Sequence, residues 1–77
     1  MKLGKTYVVN NRGLVEEHLK LKCTGFKVIK ETEKTAQINY WNCYNHDNGV
    51  KTVKKEVLEF LQNSDLAIEA VNNNSTQ

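Results

Sequence analysis

Three observations predict that this chain folds as a small α+β domain, with a bent antiparallel sheet of four or five strands and one or two short C-terminal helices. Apolar residues recur with a period of two through the first two thirds of the sequence. The two longest such runs are separated only by Glu31-Thr32-Glu33-Lys34-Thr35, a polar connection short enough for a hairpin. From Thr52 the period changes to that of a helix. The domain is expected to cover residues 1–71, leaving 72–77 (NNNSTQ) as a polar tail without a core-forming side chain.

The first strand is Lys5 to Val9, β-branched and aromatic, ended by the turn-forming Asn10-Asn11-Arg12-Gly13. Leu14 to Lys20 satisfies two patterns. Leu14, Val15, His18 and Leu19 share a helical face, while Leu19, Leu21 and Cys23 alternate with lysines as a strand does. Together they predict a short helix or turn that gives way to a strand near His18, with Cys23 in the core. Thr24-Gly25 interrupts that strand, as glycine does at a bulge or tight bend, and Phe26 to Glu31 resumes it. The hairpin returns as Ala36 to Tyr44. Its even positions point to the core, which puts Trp41 on the opposite, more polar face unless a bulge near Asn42 resets the alternation.

Asn45 to Gly49 (NHDNG) reads as a loop closing on an Asn-Gly turn, with Val50 to Val53 as the returning strand. A helix then follows, capped by Thr52, with Val53, Val57, Phe60 and Leu61 on one stripe. Lys54 and Lys55 in its first turn oppose the macrodipole, which points either to a longer strand or to lysines facing a partner. Asn63 ends this helix and Ser64 caps another that buries Leu66, Ala67, Ala70 and Val71. The expected core is Leu21, Phe26, Val28, Ile38, Tyr40, Val57, Phe60 and Leu61.

Size and composition exclude several classes. Seventy-seven residues make one domain near the lower limit for a self-sufficient core. Apolar runs are no longer than three residues, such as Leu66-Ala67-Ile68, too short for a membrane span or the apolar region of a signal peptide; a cytoplasmic location, in a bacterium or a phage-infected host, is expected. The net charge of +2 excludes an acidic mimic of DNA. Residues 1–30 carry seven basic side chains against Glu16 and Glu17, and the remainder carries four lysines against seven carboxylates. The N-terminal half is thus the more basic.

The most specific chemical pattern is Cys43-x-x-His46, the spacing of two metal ligands, to which His18 and Cys23 are the only Cys or His residues left to add. His18 and Cys23 are not a tight pair on a turn, so no metal and no cofactor is expected. Cys43 with His46 or His18 and Asp47 also supplies the residue types of a nucleophile, its base and an orienting carboxylate. No oxyanion-hole glycine motif, phosphate loop, HExxH or EF-hand spacing accompanies them, so no catalytic residue and no small-molecule substrate is expected. A Cys23–Cys43 disulfide is disfavoured in a cytoplasmic chain.

Binding remains. Thr35 to Asp47 holds the only Trp and two of three Tyr, and Trp41, Tyr44, Asn45, His46 and Asp47 form the expected contact patch for a larger protein partner. The alternative partner is nucleic acid, with an SH3-like or OB-like small barrel whose Lys20, Lys22, Lys27 and Lys30 track phosphates while aromatics stack on bases. The small strand-rich pattern, the Glu-Lys hairpin and the Asn-rich tail resemble short accessory proteins of phages and mobile elements, and abundant Lys and Asn fit an AT-rich coding sequence. That resemblance implies an inhibitor or modulator of a host machine such as a restriction, CRISPR or polymerase complex.

Overall fold

The chain runs β1 (Thr6–Val9), α1 (Arg12–Leu19), β2 (Gly25–Glu31), β3 (Thr35–Asn42), β4 (Asp47–Lys54), α2 (Lys55–Asn63) and β5 (Ala67–Glu69) in the computed structural model, which describes residues 1–70. The five strands form one antiparallel sheet in the order β4-β3-β2-β1-β5. The small α+β domain with an antiparallel sheet is therefore the fold. The sheet is open, with β4 and β5 as its edges, and does not close into a barrel.

Register sets what each face carries. Tyr7, Phe26, Val28, Ala36, Ile38 and Val53 point to the side covered by both helices and pack with Val15, Leu19, Leu58 and Leu61. Tyr7 stacks on Phe26 at 5.7 Å between ring centroids, and its hydroxyl accepts from the Lys2 amide at 3.0 Å, so the phenol is buried with its polar end satisfied. Among the described residues nothing covers the opposite face.

Several elements differ from the sequence expectation. Helix α1 starts at Arg12 because Asn11 caps it, its side chain accepting from the Leu14 amide, and it runs to Leu19 with Val15 and Leu19 buried one turn apart. Lys20 then takes the left-handed conformation and its amide bonds back to Glu16, so the expected strand from His18 to Cys23 is a helix end and a bend. Cys23 is nonetheless buried, as expected. A bend does fall at Thr24, just before β2 begins at Gly25, while the bulge lies further on, between Val28 and Lys30, where Ile29 is the extra residue. Asn48 and Gly49 are paired strand residues rather than a turn; the chain reverses over Cys43 to His46 instead.

Strand β4 continues to Lys54, so Val53 is buried as a strand residue and α2 begins at Lys55 without a side-chain cap. The longer strand accounts for Lys54, which ends β4 and does not sit in the first helical turn. Starting later, the helix buries Leu58 and Leu61, while Phe60 is 46% exposed and lies against the His18 ring at 4.6 Å. Leu21, Tyr40 and Val57 are partly buried at the core margin. The helix expected after Ser64 is instead a left-handed turn at Asp65 followed by β5, which pairs with β1 and buries Ala67. Val71 and the tail 72–77 lie outside the described residues.

Candidate functional site

Pairing aligns the uncovered face into rows across the strands. One row reads Ile68, Val8, Gly25, Trp41, Asn48 from β5 to β4. Val8 is 50% exposed and Ile68 49%, and Trp41 is half-buried because its indole lies flat over Gly25. A Cβ at position 25 would stand 2.7 Å from that ring, so glycine there is what lets the indole close on the backbone. The next rows are Thr6, Lys27, Asn39, Val50, then Lys30, Gln37, Thr52, then Thr35 and Lys54. The extra residue at Ile29 places Lys27 and Lys30 on the same face, although their spacing of three would otherwise separate them.

The apolar row ends at an open groove of about 470 Å3 lined by Val8, Arg12, Thr24, Trp41, Cys43 and Tyr44, among others. Tyr44 is 69% exposed, and the Arg12 guanidinium sits 4.2 Å from its ring centroid. The β3–β4 turn that carries Tyr44 is held from below. Asn42, buried on the helix side, accepts from the Tyr44 amide at 2.9 Å and directs its amide nitrogen to the Lys22 carbonyl at 3.5 Å. The Thr24 hydroxyl accepts from the Cys43 amide at 3.1 Å, and Asn45 accepts from the Asp47 amide at 2.9 Å. His46 closes the turn in the left-handed conformation, φ 59°.

Of the expected contact patch, Trp41 and Tyr44 line this groove together. Asn45 and His46 form the turn, and Asp47 starts β4 opposite Asn42, on the helix side. The four lysines divide. Lys27 and Lys30 stand on the open face, whereas Lys20 ends α1 and Lys22 lies in the bend leading to β2. The Lys20 carbonyl accepts from the Lys51 ammonium at 3.3 Å. Val8, Arg12 and Ile68 join the site only through the fold. Nothing in the sequence near them signals a surface, because an exposed β-branched residue and a buried one look alike until the register is known.

Cys23 is buried, Cys43 is exposed, and His18 is occupied against Phe60. Among the described residues, no three His, Cys, Asp or Glu side chains stand together as a ligand set. Burial pushes the Cys23 thiol up to about 11, which keeps it protonated and unreactive near neutral pH. A second groove of about 480 Å3 lies at the start of α2, lined by Lys34, Thr35, Lys54, Lys55 and Glu56. There the Lys55 amide already donates to the Lys34 carbonyl at 2.9 Å, and the Lys55 ammonium pairs with Glu31 at 3.3 Å. Among the described residues no helix is long and apolar enough to cross a membrane. No family model, curated protein or solved structure matches the chain.

Proposed function

We propose that this protein is a non-enzymatic accessory factor that binds a larger protein partner through the open face of its sheet, with Trp41, Tyr44 and Arg12 at the centre of the contact. The observation that carries this reading is the convergence of these three side chains on one open groove at the end of an apolar row. Trp, Tyr and Arg are the types that dominate binding energy at protein interfaces. Val8 and Ile68 extend the apolar surface beside them. In keeping with the compositional resemblance to phage and mobile-element proteins, the partner is a component of a host machine, and occupying its surface inhibits or modulates it.

The nucleic-acid reading has one observation in its favour, that Lys27 and Lys30 share a face with Trp41. The exposed apolar side chains of that face are otherwise aliphatic, and bases stack on rings, not on Val8 or Ile68. Protein binding is therefore preferred. The test is affinity capture from a lysate of the source organism or its host, comparing wild type with a Trp41→Ala, Tyr44→Ala double variant whose fold is verified by circular dichroism. The double variant should recover at least about tenfold less of the partner, since each anchor residue of this kind contributes about 2 kcal/mol or more. Equal recovery would show that the groove is structural only.

A further inference from the structure

We infer that the surface this face recognises is acidic, a property that rests on the proposed protein-binding role and narrows it. Among the described residues the register leaves no Asp or Glu at any strand position on the open face, while Lys27, Lys30 and Lys54 all stand there. The carboxylates of the sheet are on the other side. Glu31 pairs with Lys55 at 3.3 Å, Glu69 reaches Lys5 at 4.0 Å, and Asp47 lies opposite buried Asn42. Glu33, in the β2–β3 turn, lies beyond the strand positions of the face and is adjacent in sequence to Lys34.

A net charge of only +2 thus conceals a sided distribution, in which one face presents cations alone beside the apolar row. The Ile29 bulge creates part of it, because without the extra residue Lys27 and Lys30 would project from opposite faces. Two copies of this face would bring like charges together, so self-association through it is disfavoured. A complementary occupant carries Asp or Glu opposite the lysine rows and an apolar patch opposite Val8 and Ile68, a combination a polypeptide surface provides and a phosphate backbone does not.

Trp41 is the only tryptophan and lies in this face, so its emission reports occupancy. Poly-L-glutamate is titrated as a model acidic polypeptide, and oligo-dT in parallel. Poly-L-glutamate should change Trp41 emission saturably, and its midpoint should weaken about tenfold or more between roughly 50 and 200 mM salt. A Lys27→Glu, Lys30→Glu variant should lose the response, while Lys20→Glu, Lys22→Glu, with the same charge change away from the face, should keep it. No response to poly-L-glutamate, equal loss in both variants, or tighter saturable binding of oligo-dT would each overturn the inference. If poly-L-glutamate fails but Trp41→Ala, Tyr44→Ala still loses the captured protein, the docking face stands and only its acidic preference falls.

Discussion

Gly25 and Trp41 act as one unit, since the indole occupies the space a side chain at position 25 would take. Gly25→Ala should therefore push the ring off the sheet, lowering stability by about 1–3 kcal/mol. A lower urea midpoint with Trp41 emission shifted to the red is the expected result, and an unchanged midpoint would mean the ring moves freely. Gly13 is the contrast. A Cβ there meets only the Asn11 side chain at 3.7 Å, inside a helix, so Gly13→Ala should stabilise by about 0.4–1 kcal/mol in the same assay. The two cysteines also separate by environment. Exposed Cys43 should react with a thiol reagent in the native protein and buried Cys23 only after denaturation, giving one thiol and then two. The unfolded chain loses the Cys23 proton near pH 9 and the folded chain holds it to about 11. The folded state then binds more protons in that interval, so stability is undiminished below pH 9 and falls as pH rises through 9 to 11. Replacing Cys23 with Ala should flatten that part of the pH profile, measured by urea denaturation.

Where a segment's alternation faced one buried layer, the element could be read directly. Phe26 to Glu31, the hairpin, and Ala36 onward are strands as expected, and the position of Trp41 on the uncovered face follows from unbroken alternation through Asn42. The failures occur where local pattern is satisfied equally by two periods. Leu19, Leu21 and Cys23 alternate, but Val15 and Leu19 are also one helical turn apart, and burial beneath the sheet decides for the helix. Leu66 to Ala70 has a helical stripe, yet the free edge of β1 takes Ala67 to Glu69 as a strand. Asn48-Gly49 is a strong turn signal overridden because Asn42 and Asn45 bind the backbone of an earlier turn, leaving Gly49 under the Tyr40 ring. The site was legible to the extent that Trp41 and Tyr44 stand out by type. Arg12, Val8 and Ile68 come from elements whose pairing no local pattern states. Helix α2 carries a testable weakness, since its N-cap residue is Lys54 in extended conformation with no side-chain cap. Lys54→Ser should supply one and raise stability by about 0.5–1.5 kcal/mol in thermal or urea unfolding. The same change removes a cation from the open face, so it should also weaken the response to poly-L-glutamate.

At the scale of the molecule, cohesion is uneven across the sheet. Strand β3 is paired with β4 over the whole of Thr35–Asn42 and with β2 from Ala36 to Trp41, whereas β5 is a three-residue edge strand held to β1 by Ala67–Glu69 and flanking bonds such as Asn10 to Leu66. Phe26, Val28, Ala36 and Ile38, at the centre of the β2–β3 pair, are fully buried, while Ile68 and Glu69 are exposed. Opening β5 therefore costs the burial of little beyond Ala67 and Leu66, and releasing β3 costs the core. Native-state hydrogen exchange should find amides of β2 and β3 exchanging only by global unfolding and those of β5 exchanging through a smaller, denaturant-insensitive opening. This asymmetry bears on the proposed site, because the apolar row begins on the rigid strand at Trp41 and ends on the labile one at Ile68. A partner that covers the row should slow exchange at β5 more than at β3, where little remains to be gained. Protection of β3 alone on binding would mean that the contact stops at Trp41 and that Ile68 is no part of it.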